Sequence, residues 1–527
     1  MDIHITEDNI LSSMKDFCHG KLLDVGKLEA LFIDYMKNDN EYIKQCAQSL
    51  AVNGLNIAQY NIHPEWYYFL MSFLLYATNE QSIYKELLIQ CIKDNNISKE
   101  SKFFIYQQLI RYDFFSKSTA NSIIRDMQDD LYNIIYQSYK NELKSEMQFI
   151  PKHERNKDFV IVLSTQVLML PHNPNVILHG PTKMMLNCCH LLKNTLKKQV
   201  YVINTAESLS SYCAVPWFNQ ANANYIENLC NREILNYNGN NIPFYQCPNK
   251  MPDVYVINEL LNVIKSEKPY FICTIGGDSI VNDLCSNLVP TLSIPLSANR
   301  VTTYGQFQTM GREMSDDDKQ WLKKHNLPKE HIIEINSSYV FEKPIKSLTR
   351  SELGIPDNQF NVVLVGTRLD DEIDNECINI LYKLTDNNIF VTFIGKFNKY
   401  KEFADSNEKF MNNTLYMGYQ DNLNAIYECC DIYMNPKRLG GGTSAAEALY
   451  TGLPVVSFDF GDIGSIVGSD FHVHGYSDMF EHIIKYSTDN KYYDEMSKRA
   501  KQRAATLDRS ESNFLKILQK MEESQLL

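Results

Sequence analysis

From residue 157 onward, short β-branched apolar runs alternate with helical patterns, and this alternation limits the fold more than any other feature. "KDFVIVLSTQVLML" (157–170) is followed by a loop and a helix, "HGPTKMMLNCCHLLKNTLKK", and then by a second run, "QVYVIN". "KPYFICTIGGDSIVNDLCSNLVPTLSIPL" repeats the scheme as strand, glycine-containing loop, helix and strand. Such alternation predicts a mostly parallel sheet with helices on both faces. The scheme restarts after the two-proline linker "FEKPIKSLTRSELGIPDNQ" (341–359) with "FNVVLVGTRL", "NIFVTFIGKF", "NTLYMGYQ", "CDIYMNP" and "LPVVSFDF". Residues 1–150 read differently: apolar residues recur at helical spacing, and glycine and proline are scarce. The expectation is an α/β chain with two Rossmann-like, doubly wound domains facing a cleft, preceded by an all-helical domain. The expected boundaries are 1–150, 151–345 and 346–508, with a final helix over 509–527.

A chain of 527 residues is too long for a single core. Its formal charge of −13 argues against bulk binding to nucleic acid or to an anionic membrane. The most apolar run, "WYYFLMSFLLYA" (66–77), has 12 residues, shorter than the ~20 a membrane helix needs. The first residues, "MDIHITEDN", lack both the basic and the apolar part of a signal peptide. The thirteen cysteines show no C-x-x-C spacing and lie mostly in apolar stretches, as reduced thiols do. Together these features predict a cytoplasmic protein without a transmembrane segment. Abundant Asn, Lys, Ile and Tyr fit an AT-rich, bacterial genome.

The stretch "NPKRLGGGTSAAEALYTGLPVV" (435–456) carries the chemistry. Gly440, Gly441 and Gly442 let backbone approach a ligand closely, and the helix that follows offers unpaired N–H groups and a positive dipole end to an anion. N–H groups from Gly441 through Thr443 and Ser444 are the expected diphosphate cradle. Glu447, read as lying on the first turn of that helix, can accept hydrogen bonds from both hydroxyls of a ribose. Arg368 ends a strand at the same sheet edge and can bind the β-phosphate. Lys396, Lys437 and Arg438 add cations at that edge. Ligands of open parallel sheets bind beyond the carboxyl ends of the strands, which is where this loop falls.

"SELGIPDNQFNVVLVGTRL", "MGYQDNLNAIYECCDIYMNP" and "GGGTSAAEALYTGLPVVSFDFGDIGSIVG" resemble the C-terminal half of GT-B glycosyltransferases, especially the retaining group 1 family. The resemblance covers 351–467 well. It implies that Arg368 meets the donor diphosphate and that Glu447, in the pattern E-A-x-x-x-G-x-P-V-V, binds the ribose. The implied donor is a nucleoside-diphosphate sugar, a UDP-sugar first, with no further cofactor and no bound metal. The implied acceptor is a protein or a glycan. Two positions depart from the family pattern: Leu439 stands where a second glutamate is usual, and Ile373 where a lysine is usual. A loop of this kind, after an all-helical N-terminal part, is also similar to transferases that glycosylate proteins.

In the first half of the chain, "HGPTKMMLNCCHLLKNTLKKQVYVI" resembles the family's G-x-x-K segment and sets Gly180 on the acceptor side of the cleft. His179 is a candidate base there, and Asp278, beside Gly276 and Gly277, is a candidate catalytic carboxylate or a helix N-cap. Tyr304 and Gln306 of "YGQFQ" are candidates for acceptor contact. His472 and His474 share a face of a short strand, a spacing that can bind metal, but no third ligand stands nearby in sequence. Two readings compete with catalysis by a transferase: an inactive GT-B subunit holding a protein partner for an active enzyme, and a nucleotide-sugar epimerase. The helical domain is open to three roles: acceptor recognition, oligomerisation, or support of the first sheet.

Overall fold

The computed structural model describes residues 68, 71–72, 74–75, 80–115, 122–143, 147–168, 180–209, 225–297, 299–335, 339–341, 343–344, 346–420, 422–508 and 510–527. His179, and most of the helical expectation before residue 80, lie outside the described residues.

Two sheets organise the chain. The first contains β1 (Asn156–Ser164), β2 (Gln199–Asn204), β3 (Ile234–Tyr237), β4 (Asn240–Gln246), β5 (Pro269–Ile275), β6 (Thr291–Ile294), β7 (Phe307–Met310) and β8 (Ile332–Glu334), in the order β3-β4-β2-β1-β5-β6-β7-β8. Its pairings are parallel except for the β3/β4 hairpin. β1 sits centrally, with Val160 in register with Val200 on one side and Phe271 on the other. Residues 160–164 are all buried, which explains the unbroken apolar run: a parallel strand with helices on both faces has no wet side.

The second sheet contains β9 (Asn361–Gly366), β10 (Phe390–Gly395), β11 (Thr414–Tyr416), β12 (Ile432–Met434), β13 (Val455–Phe458) and β14 (His472–Val473). Its order is β11-β10-β9-β12-β13-β14, parallel throughout. Strand order therefore reverses between β9 and β12, and the loops leaving these neighbours open a crevice at the carboxyl edge. Arg368 follows β9 and the three glycines follow β12. The fold brings them together because their strands are neighbours on either side of this reversal.

The helices Gln81–Lys93, Lys99–Phe115 and Ser122–Glu142 share one apolar core with the first sheet. Leu87, Ile105, Leu109, Leu131 and Ile135 are buried in the same cluster as Ile161, Leu163 and Ile203 of the strands and Leu261 and Leu284 of the sheet's own helices. Burying such side chains contributes about 1.5–3 kcal/mol each, so these helices are an additional layer of the first sheet. At the other end of the chain, the Ser510–Glu523 helix returns to that sheet. Phe514, Ile517 and Met521 join the cluster containing Val160, Val162 and Val202, and Arg155 Nη2 donates to the carbonyl of Leu526 at 2.5 Å. Among the described residues no helix is long and apolar enough to cross a membrane.

Candidate functional site

The glycine loop is built around a buried arginine. Gly441 caps the Gly442–Thr451 helix at φ +97°, a left-handed conformation that costs any residue with a Cβ. A Cβ there would lie 2.6 Å from Asn435 Oδ1 and 2.7 Å from Arg438 Nη2, so glycine is required twice over. The helix has no side-chain cap, and the Ser444 hydroxyl instead donates to the Gly441 carbonyl at 3.1 Å. Among the described residues no protein acceptor takes the N–H of Gly442, Thr443 or Ser444. These N–H groups form the donor cluster expected of an anion site at a ten-residue helix.

Arg438 has a different place from the one its sequence position suggests. Its side chain is only 5% exposed. Nε donates to Asn435 Oδ1 (2.8 Å), Nη1 to Glu372 Oε2 (2.5 Å), and Nη2 to the Val365 carbonyl (2.8 Å) and the Tyr433 hydroxyl (3.1 Å). Burial works against the charge, yet the Glu372 carboxylate and Tyr433 hold its pKa above the ordinary arginine value. With four hydrogen bonds made inside the protein, Arg438 ties β9 to β12 and shapes the loop from behind.

Glu372 also accepts from Arg368 Nη2 at 3.0 Å through its other oxygen, so one carboxylate holds two guanidinium groups. Arg368 is a quarter exposed, and its Nη2 lies 3.4 Å from where a Gly440 Cβ would stand. The guanidinium also lies over the ring of Phe114, 5.3 Å from its centroid. The arginine and the glycine loop expected to hold one diphosphate are therefore adjacent.

Glu447 lies on the second turn of the helix, since Gly442 opens it, so the first-turn placement is corrected by one turn. Dipole compensation, which decays within the first turn, therefore explains it poorly. Its Oε1 accepts from Lys183 Nζ at 3.0 Å, across the cleft from the Gly180–Asn194 helix. Lys396 is partly exposed just beyond β10, and Lys437 is exposed with its ammonium 5.7 Å from the Phe460 ring centroid. Ile373 is buried in the core of the second sheet, so no cation could be presented from that position without repacking. At Leu439 the backbone packs against Gly461.

Of the acceptor-side candidates, Asp278 and Tyr304 meet the helical layer. Asp278 has φ +55° and accepts from the Tyr106 hydroxyl (2.8 Å) and the Thr302 N–H (3.1 Å), while Gln107 Nε2 donates to its carbonyl. Burial raises its pKa to about 6. It is not the helix N-cap: Ser279 caps the Ile280–Cys285 helix. Side chains at Gly276 and Gly277 would strike Thr165 and Val301. Tyr304 stacks on Tyr136 with ring centroids 4.1 Å apart and donates to Asn133, and Gln306 bridges the Thr291 N–H and the Ser286 carbonyl. Gly180 stands at the helix start, and among the described residues nothing lies within 4 Å of its Cβ position.

Sequence reasoning missed four participants: Lys183, Glu372, Phe114 and Glu207. Glu207, just past β2, is buried and bonded to Ser279, Thr205 and the Val281 N–H, and burial raises its pKa to about 7. The spacing G-x-x-K was a signal for Lys183, whereas nothing local marked the other three. For metal, His472 is turned to the Gly464 carbonyl, and among the described residues no cluster of three or more His, Cys, Asp or Glu side chains forms a binding set.

Residues 346–503 match the sequence model of the family described as glycosyl transferases group 1. Among solved structures, a mutant of the O-GlcNAc transferase of Thermobaculum terrenum aligns with a TM-score of 0.53 at 10% identity, over 99% of this chain and 98% of that one. A glycosyltransferase from Rickettsia africae aligns with a TM-score of 0.49 at 13% identity, over 70% of this chain and 97% of that one. At 10% identity the likeness to the Thermobaculum terrenum structure is one of fold. No curated protein sequence matches.

Proposed function

We propose that this chain, a GT-B glycosyltransferase fold with a group 1 domain in its second half, moves a sugar from a nucleoside-diphosphate donor to an acceptor in the cleft. A UDP-sugar is the first donor to test, and a protein or a glycan is the acceptor class. The observation that carries the reading is the meeting of Arg368, the uncapped N–H groups after Gly441, and Glu447 at one strand-order reversal.

Each group has a task in such a reaction. The ribose hydroxyls bind the Glu447 carboxylate, and the diphosphate lies against the N–H groups of 442–444. Charge grows on the β-phosphate as the bond to the sugar breaks, and Arg368 stabilises it there. Donors already aimed at developing charge need no reorganisation, which is usually a large part of catalysis. Lys396 and Lys437 are further cations at the same edge. Of the acceptor-side candidates, Asp278 best fits a role in proton handling, because burial brings its pKa near neutrality. Its bonds to Tyr106 and Thr302 would first have to rearrange.

The competing reading, a binding subunit without catalysis, draws support from Leu439 and Ile373, since the latter is packed as core. One experiment separates them. Donor hydrolysis is screened across nucleotide sugars, with mass spectrometry of labelled proteins and calorimetry of nucleoside diphosphates on wild type and Glu447→Ala. Binding that disappears in the variant, with turnover of one donor, supports the transferase. Absence of any binding supports the subunit, and binding without turnover of any donor overturns the transferase.

A further inference from the structure

The cleft contains one charge that the reading above does not use. Lys183 lies on the first turn of the Gly180–Asn194 helix of the first sheet, yet its ammonium sits 3.0 Å from Glu447 Oε1 of the second. We propose that Lys183 is a diphosphate-binding residue contributed from the opposite sheet, resting on Glu447 until a ribose takes that carboxylate. This inference rests on the proposed donor site.

Three observations carry it. First, Glu447 is confined: its side chain is 13% exposed, so it has little open surface, and the ammonium occupies part of it. A ribose using both hydroxyls on this carboxylate must displace the lysine. Second, the displaced cation stays close. Five residues of helix separate Glu447 from Gly442, on the order of 7–8 Å of rise, and a lysine carries its charge on a flexible four-carbon stem. Lys183 is 28% exposed, which leaves it free to swing. Third, both arginines at the glycine loop are already engaged. Arg438 is buried and committed to Glu372, Arg368 shares that carboxylate, and Ile373 is apolar and buried. A diphosphate carrying about two negative charges therefore meets one partly neutralised arginine beside the glycine loop, with Lys396 and Lys437 as the other cations of that edge, and a cation from across the cleft adds to the balance. It also links donor binding to the approach of the two sheets, since the same lysine touches Glu447 before binding and phosphate after it.

The test compares nucleosides with nucleoside diphosphates. Calorimetry on wild type, Lys183→Met and Lys183→Arg uses UDP, GDP and ADP, and then the unphosphorylated nucleoside of whichever binds. The expected result for Lys183→Met is a diphosphate affinity lower by roughly 5- to 20-fold, a charge-assisted bond lost less the small ion pair it replaces. The nucleoside should bind unchanged or a few-fold tighter, and Lys183→Arg should retain most of the diphosphate affinity. If the diphosphate and the nucleoside both tighten, Lys183 merely competes for Glu447, and the proposal fails. Parallel weakening of both, or no change in either, refutes it equally. If wild type binds no nucleoside diphosphate, the donor site itself is wrong. If wild type binds and Glu447→Ala does not, that reading survives whatever Lys183 does.

Discussion

Replacing Glu372 with glutamine tests whether the donor site rests on a buried charge array. The carboxylate is 6% exposed and holds Arg438 at 2.5 Å and Arg368 at 3.0 Å through separate oxygens. Glutamine has nearly the same shape but only one acceptor, and its NH2 must face one of the two guanidinium groups. Arg368, a quarter exposed, can turn to water, whereas Arg438 is 5% exposed and cannot. The amide oxygen should therefore stay with Arg438, which loses its counter-charge but keeps a hydrogen bond. Breaking a buried pair by removing one partner costs about 3–5 kcal/mol, and the retained hydrogen bond places this case near 3. That is a large fraction of the ~5–15 kcal/mol a domain has in all. Urea unfolding of a chain with two sheets need not be two-state, so hydrogen exchange by mass spectrometry should localise the loss to peptides covering β9 and β12. Arg438→Met removes the cation that needs the carboxylate. The double variant should then be less destabilised than the sum of the singles, by about 2 kcal/mol. A cost for Glu372→Gln below about 0.5 kcal/mol, the range of ordinary surface changes, or strict additivity in the double variant, would refute the array.

Three other predictions follow from the same geometry. Gly441→Ala places a Cβ at φ +97° against Asn435 and Arg438, so nucleoside-diphosphate affinity by calorimetry should fall at least tenfold, while Gly418→Ala, at φ +64° with nothing within 4 Å of its Cβ position, should leave it unchanged. Phe114→Ala removes the ring under Arg368, and diphosphate affinity should drop roughly 2- to 5-fold, the scale of a cation–π contact of about 0.5–1 kcal/mol; an unchanged affinity would mean the ring only packs. Folding stability should decline as pH rises from about 4 to about 7, because Asp278 and Asp283 (about 6) and Glu207 (about 7) have folded pKa values raised by burial above their unfolded ones of roughly 3.9–4.3. Raised acids bind protons more tightly when folded, so their contribution is full below the unfolded value and is lost through the folded one. The groups facing them are Tyr106, Tyr132, Asp129, Ser279, Thr205, Thr302 and Thr303, and denaturation midpoints at pH 5 and pH 7.5 should differ in the stated sense, with Asp283→Asn flattening the dependence.

What the sequence made legible was what depends on neighbours in the chain. Five of the six strands of the second sheet, β9 to β13, lie in segments whose apolar runs read as strands, because they are largely buried and bounded by polar turns, whereas the two residues of β14 form no such run. In the first sheet, β1, β2, β5 and β6 were readable for the same reason. The β3/β4 hairpin was not, since its strands bury only every second residue and so contain no apolar run; yet Asn238 and Gly239, both at positive φ, are the two-residue turn signal that would have found it. β7 and β8 have four and three residues, too few for a period to show. In the site, Arg368, the glycines and Glu447 could be placed because a strand end and a helix start fix them locally. Arg438 was misplaced because its partner Glu372 lies 66 residues away, and Lys183 meets Glu447 across 264. Tyr304 faces the Ser122–Glu142 helix, whose packing position no local pattern encodes, and Gln306 is taken up by the backbone of Thr291 and Ser286.

Contacts between residues distant in the chain also define what the helical layer does. The Lys99–Phe115 helix sends Tyr106 and Gln107 to Asp278 on the first sheet and Phe114 to Arg368 on the second. Those contacts are eight residues apart, about 12 Å of helix, so one rigid element touches both sides of the cleft. Any motion that opens the cleft must either break the Phe114–Arg368 contact or carry the helix away from Asp278. The second contact is anchored by buried hydrogen bonds and a shared apolar core, whereas the first is a single cation–π approach. Opening therefore separates Phe114 from Arg368. The helical layer thus stays with the first sheet, and its contact with Arg368 lasts only while the cleft is closed.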